Sequence, residues 1–84
     1  MPDIEGLTRF IFATLRDDLL SAGDDFTPQT DLVDAGLDSL AATQLLLALE
    51  EHTGVWVDES VLTPENLASS EALARCVHGH VAGG

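Results

Sequence analysis

Asp38-Ser39 stands directly before a leucine-rich run, Leu40-Ala41-Ala42-Thr43-Gln44-Leu45-Leu46-Leu47-Ala48-Leu49, that contains neither glycine nor proline. A serine in that position puts a hydroxyl in the first turn of a helix, beside a loop that leaves it open. First-turn N–H groups have no intrahelical acceptor, and the positive end of the helix dipole stabilises negative charge there by about 0.3–1 kcal/mol at a surface. The chemistry that suits such a hydroxyl is a phosphoester. Asp38 has two candidate roles, capping those amides and offering a carboxylate to a metal ion during attachment.

Other reactive groups are weaker candidates. Cys76 follows Leu73 by three residues and precedes His80 by four, a spacing that predicts a buried or half-buried core position rather than a reactive thiol. His78 and His80 could touch a metal, but two ligands near a chain end make a poor site, and no metal is predicted. Trp56 is expected to pack rather than to serve as a ligand platform. Gly83-Gly84 invites comparison with the C-terminal diglycine of ubiquitin-like proteins, whose β-rich pattern is absent from this sequence.

The elements that must position Ser39 are helical. Asp3 could cap a first helix over residues 3–20, in which Ile4, Leu7, Ile11 and Leu15 recur at spacings of three and four. Ser21-Ala22-Gly23-Asp24-Asp25 ends it, and a long loop over 21–38 follows, with Pro28 opposing helix. Loops of that length are uncommon unless functional or tacked down, and Phe26, Leu32, Val33 and Leu37 are the expected tacks. The second helix, 39–53, is stopped by Gly54. Val55-Trp56-Val57 reads as an extended apolar link. A short helical segment over 59–67 is interrupted or restarted at Thr63-Pro64, and Ser69 caps a last helix over 70–80, leaving 81–84 to fray. Ala42, Leu45, Leu46 and Leu49 are expected to enter the core from the second helix, whereas Leu40, Thr43, Gln44, Leu47 and Glu51 cluster on its other side.

Composition narrows the class. The 84 residues suffice for one domain, 1–84, with one small core, and 14 leucines and 10 alanines favour helices as its constituents. Against 15 Asp and Glu stand three arginines and no lysine, a formal net charge of -12. Such a surface repels nucleic-acid phosphates and anionic membranes and favours a basic patch on a protein partner. A hydrophobic content of 45% with clear periodicity argues against an acidic disordered chain. One cysteine forms no internal disulfide, and the N-terminal residues lack the pattern of a secretory leader, so a cytoplasmic monomer is expected.

The run Thr30-Asp31-Leu32-Val33-Asp34-Ala35-Gly36-Leu37-Asp38-Ser39-Leu40, with the leucine-rich helix that ends Leu49-Glu50-Glu51-His52-Thr53-Gly54, resembles the acyl and peptidyl carrier proteins. An Asp-Ser-Leu tripeptide alone could be an ordinary helix start; its place in an acidic chain of this length carries the resemblance. The resemblance implies an all-α fold, a four-helix bundle of the acyl-carrier type with a long first loop and a short third helix. It implies that a phosphopantetheinyl transferase attaches 4'-phosphopantetheine covalently, from coenzyme A, to Ser39, with Asp38 as helix cap and possible metal contact. The arm would hold acyl or aminoacyl intermediates as thioesters, and the carrier itself would catalyse nothing.

Further partners implied are an acyltransferase or an acyl or aminoacyl ligase, and a ketosynthase or other assembly-line enzymes, met by Leu40, Thr43, Gln44, Leu47 and Glu51. Fatty-acid carriers look more acidic along this stripe, where Thr43 and Gln44 stand here. The expected setting is therefore polyketide, nonribosomal-peptide or aminoacyl biosynthesis, with fatty-acid synthesis as an alternative. A different class of alternative is an acidic helical adaptor that binds a basic partner without cargo.

The charge distribution generates a stability prediction. Thirteen carboxylates between Asp17 and Ala74 face no arginine or lysine within that segment. Thermal unfolding followed by circular dichroism is expected to rise in midpoint with salt, since the screening length falls to about 10 Å at 0.1 M, and more efficiently with magnesium. Midpoints indifferent to both would contradict this picture of crowded carboxylates.

Overall fold

The computed structural model describes residues 3–19 and 26–83, and within these all regular structure is helical. Three α-helices, α1 (Ile4–Thr14), α2 (Ser39–Thr53) and α3 (Ser70–Gly83), are joined by connectors that carry two 3-10 turns, Glu59–Val61 and Asn66–Ala68. Leu20 and the expected terminator Ser21–Asp25 lie outside the described residues.

Asp3 caps α1, its Oδ1 accepting from the Gly6 amide at 2.7 Å. The helix buries Leu7 and Ile11, and beyond Thr14 the backbone continues as a π-helical turn, Leu15–Leu19, in which Leu15 is also buried. A π turn holds more residues per turn than an α turn and so shifts the phase of the side chains that follow it. α1 packs chiefly against α3, which contributes Leu73, Ala74 and Val77 to the core. Each larger side chain among these, when fully buried, is stabilised by about 1.5–3 kcal/mol relative to exposure.

From α2 come Leu45, Leu46 and Leu49, together with Ala41. Ala41 thus takes the core position expected of Ala42, which is only half-buried. The reason is helical phase: Ala41, Leu45 and Leu49 form one line at spacings of four, and Ala42 lies on its flank above Leu46. Outside the core, Phe10 of α1 stacks on His52 of α2 with ring centroids 4.0 Å apart.

The connectors complete the core with Phe26, Leu32 and Val57, all buried. Phe26 also stacks on Phe12 at 5.0 Å. Of the expected tacks, Leu32 is fully buried and Leu37 packs against the core, but Val33 is 55% exposed. The local backbone explains the split: turn bonds from Ala35 N to Asp31 O and from Leu37 N to Leu32 O coil the chain, so that adjacent Leu32 and Val33 face opposite ways. Long-range bonds pin the loop, with Leu32 N donating to Leu67 O at 2.9 Å and Glu71 N to Pro28 O at 3.2 Å. Glu71 accepts from Arg75 and from Gln29, and these bonds, Arg75's first, hold its carboxyl below the usual carboxylate range.

The expected short helix at 59–67 takes the form of two separate 3-10 turns. Pro64 has no N–H to continue an α-helical ladder and its ring clashes with the preceding turn, so an unbroken helix across it is disfavoured. Side chains supply the missing bonds, Asp58 Oδ1 accepting from Ser60 N at 2.8 Å, and Asn66 Nδ2 donating to Val61 O at 2.6 Å. The link before these turns buries Val57 but leaves Trp56 47% exposed, so Trp56 is not the packing residue expected of it. Ser69 Oγ accepts from Ala72 N at 2.9 Å at the start of α3, and the helix runs on to Gly83, past the expected end at residue 80.

Gly36 and Gly79 both have room for a methyl group, and together they separate backbone strain from packing. A Cβ would meet nothing within 4 Å at either position, but Gly36 has φ +104° in the turn before Ser39, whereas Gly79 lies within α3. Gly79→Ala is expected to stabilise the fold by about 0.5–1 kcal/mol, the helix-interior cost of glycine. Gly36→Ala is expected to destabilise it by about 1–2 kcal/mol. Urea unfolding of the two variants checks the opposite signs, and equal effects would refute this account.

Candidate functional site

The site is assembled from the end of the first connector and the start of α2. The turn over 32–36 closes on Gly36, and Asp38 follows in extended conformation, with φ -108° and ψ -177°. Its Oδ1 accepts from Ala41 N at 2.8 Å while its carbonyl accepts from Ala42 N at 2.9 Å, so Asp38 is the N-cap and Ser39 the first helical residue. Ser39 is exposed. Its own carbonyl accepts from Thr43 Oγ1 at 3.0 Å, which ties Thr43 back along the helix beneath it.

A cleft of about 720 Å³ opens beside Ser39, between the first two turns of α2 and the 3-10 turn Glu59–Val61. Its apolar floor includes Ala42, Leu46, Leu62 and Leu67, and its polar wall includes Asp58, Glu59 and Ser60. That volume lies within the range of about 300–1,000 Å³ typical of small-molecule sites.

The residues expected to meet partners share the exposed side of α2. Leu40 is 68% and Leu47 51% exposed, and Thr43, Gln44 and Glu51 are exposed with them. Each lies three or four positions from another of the set, so that the five make one stripe that starts next to Ser39. Glu51 stands farthest from it and also borders a smaller hollow with Phe10, Asp18 and His52 between α1 and α2. Glu50, at the margin of the stripe, is exposed as well.

Charge is distributed unevenly around this surface. Each arginine is paired within its own helical segment, Arg9 with Glu5, Arg16 with Asp17 at 2.8 Å, and Arg75 with Glu71 at 2.8 Å. The Arg16 hydrogen bond holds the Asp17 carboxyl below its usual range. No arginine lies on α2 or among the residues lining the cleft. Cys76 is half-buried on α3, and no group of three or more His, Cys, Asp or Glu among the described residues could hold a metal ion. No helix among them is long and apolar enough to cross a membrane.

Reasoning from sequence missed that Asp58, Glu59 and Ser60 share a cleft with Ser39. They lie some twenty positions away, and no local spacing signals the approach. The sequence likewise predicts an interior place for Trp56 and Val33, the other large exposed apolar residues among those described.

An exposed serine at a capped helix start offers a hydroxyl that a covalently attached arm could use. The model of the family described as "Phosphopantetheine attachment site" matches residues 9–77. Aminoacyl carrier protein 1 of Bradyrhizobium diazoefficiens is 43% identical over 53 residues, covering 63% of this chain and 59% of that protein. Aminoacyl carrier protein 2 of the same organism is 31% identical over 72 residues, covering 86% of this chain and 79% of that protein. The chain thus spans less than two thirds of the length of the first of these relatives. No solved structure matches it. With the family match extending from α1 to α3, the chain belongs to the phosphopantetheine-binding acyl and aminoacyl carrier proteins, which bear a covalent 4'-phosphopantetheine and are not themselves catalytic.

Proposed function

We propose that Ser39 is the attachment residue and that this chain is a carrier of aminoacyl or related acyl groups for a specialised biosynthetic pathway. The observation that carries this reading is the exposed Ser39 hydroxyl at the Asp38-capped start of α2, inside the matched stretch. Asp38 holds the first turn in place through one carboxylate oxygen, and the other could help hold a metal ion while the transferase acts. The first-turn amides and helix dipole favour the phosphodiester's negative charge. When bound, the arm supplies a terminal thiol that carries the cargo as a thioester. The two 3-10 turns count, in this reading, as the third helical element of an acyl-carrier bundle.

The names of these relatives support an aminoacyl cargo, which would be loaded by an aminoacyl ligase. The uncharged Thr43 and Gln44 on the exposed stripe support a specialised carrier over one for fatty-acid synthesis, and they suit polyketide and nonribosomal-peptide enzymes as well. Partners in this reading are the phosphopantetheinyl transferase, the loading ligase or acyltransferase, and the enzymes that accept the cargo. They would approach over Leu40, Thr43, Gln44, Leu47 and Glu51, since a catalytic cleft that reaches the arm can hardly avoid the surface nearest Ser39.

Incubation with coenzyme A and a promiscuous transferase is expected to add one phosphopantetheine by intact-mass spectrometry, while Ser39→Ala stays folded and unmodified. A Ser39→Ala chain that still gains the arm would overturn the assignment, and a wild-type chain that never gains it would favour the acidic adaptor.

Leu47 tests the partner surface. Because it is half-exposed, Leu47→Ala is expected to leave the melting temperature nearly unchanged and to lower transfer by a cognate enzyme roughly tenfold or more, as truncating an interface anchor costs about 1–2 kcal/mol. A contact led by charge would instead respond most to Glu51→Gln, with an on-rate that falls steeply as salt rises. Transfer assays on both variants at low and high salt separate the two, and unfolding of Leu47→Ala would return that leucine to the core.

A further inference from the structure

Ser70 is the one polar residue buried among those described, and its Oγ has no protein hydrogen-bond partner among them. Most buried hydroxyls in folded proteins are paired, so this one needs a physical account. Capping does not supply it. Ser69 already caps α3, its Oγ accepting from Ala72 N at 2.9 Å and its carbonyl from Leu73 N at 3.1 Å. The surroundings of Ser70 along the chain are more informative. Leu67, three residues before it, offers its carbonyl to Leu32 N at 2.9 Å, and Glu71, one residue after it, donates its amide to Pro28 O at 3.2 Å. Ser70 therefore lies in the seam between the first connector and the chain that enters α3, bracketed by the two isolated backbone bonds that close it. To these the described residues add one exposed side-chain bond, from Gln29 Nε2 to Glu71 Oε2 at 3.4 Å.

We propose that this seam is a built-in opening point: the first connector parts from the start of α3 while the three helices stay packed, and the Ser70 hydroxyl, unpaired in the closed form, is hydrated in the open one. A buried hydroxyl without a partner forfeits its solvation only while the seam is closed, so its rehydration shifts the balance toward the open form by roughly tenfold. Two blocks separate. On the α3 side Asn66 binds the turns together, its Nδ2 donating to Val61 O at 2.6 Å and its amide to Thr63 Oγ1 at 3.3 Å, so residues 59–68 stay with α3. On the other side, bonds from Ala35 N to Asp31 O and from Leu37 N to Leu32 O keep the coil before Ser39 intact. Leu32 limits the opening, because its buried side chain must leave the core, and the open form is therefore a minor one. That coil runs directly into Asp38 and Ser39. The seam thus sets how firmly the approach to α2 is tied to α3, and serine at position 70 keeps the tie looser than alanine would.

Native-state hydrogen exchange on the full chain, read amide by amide, tests this. In the wild type, Leu32 and Glu71 are expected to exchange about tenfold or more faster, relative to their intrinsic rates, than the buried helix positions Leu49 and Val77, and to respond only weakly to low urea, as an opening that exposes little surface does. Ser70→Ala is expected to slow Leu32 and Glu71 roughly tenfold. Ser60 and Val61, whose amides bond within their own turn, should keep their wild-type rates. Ser70→Cys, which replaces the hydroxyl with a weaker hydrogen-bonding group, should act in the same direction and provides a second variant should alanine perturb the fold. Leu32 and Glu71 exchanging as slowly as Leu49 and Val77 in the wild type would overturn the local opening. Slowing confined to the helix amides in Ser70→Ala would mean that the hydroxyl is hydrated only on global unfolding, and slowing nowhere would mean that it is already paired in the closed form, as by a buried water. Either result overturns the proposal.

Discussion

The Asp38 carboxylate accepting the Ala41 amide at 2.8 Å sets where α2 begins, and the phase of every side chain on that helix follows from it. With Ser39 as first residue, Ala41, Leu45, Leu46 and Leu49 turn inward, and Leu40, Thr43, Gln44 and Leu47 turn out. A start displaced by one residue would rotate the helix by about 100° relative to its cap, from 3.6 residues per turn. It would carry Ser39 away from the cleft and bring outward leucines toward the core. The cap and the buried line of leucines therefore specify the same register, and their agreement holds a hydroxyl at a surface position without burying anything polar around it.

A chain of 84 residues has little apolar interior with which to anchor long connectors, and this one anchors them sparingly. Phe26, Leu32 and Val57 each put one connector side chain into the core. Backbone bonds do the remainder: Leu32 N to Leu67 O couples the segment before Ser39 to the turns that form the opposite wall of the cleft. Because a 3-10 turn exposes more backbone per residue than a long helix, Asp58, Thr63 and Asn66 side chains are needed to satisfy it.

Electrostatics divide the molecule in another way. The three arginines sit on α1, its π-helical extension and α3, each neutralised by a nearby carboxylate in its own segment. α2 and the flanking connectors carry only acidic formal charges, with His52 at the far end of α2 stacked on Phe10. A basic enzyme surface would be drawn to the α2 side over long range and would then meet a stripe whose nearest contacts, Leu40 and Leu47, are apolar. In the proposed reading, attraction and docking would fall to different residues.

The sequence alone determined the caps at Asp3, Asp38 and Ser69, the stop at Gly54, the exposed serine and the outward stripe of α2, because each depends on residues within four positions of one another and helical periodicity is a local property. It also determined that α2 would leave Leu40 and Leu47 outside. Tertiary structure decided what depends on contacts far apart in the chain. Whether Ala41 or its neighbour Ala42 is buried depends on how α2 tilts against the rest of the core. Whether Val33 and Trp56 face inward depends on which way a connector turns, and their apolar character did not prevent exposure. That Asp58 and Glu59 line one cleft with Ser39 depends on how the chain folds between them, and separations of that length leave no periodic trace in an amino-acid sequence.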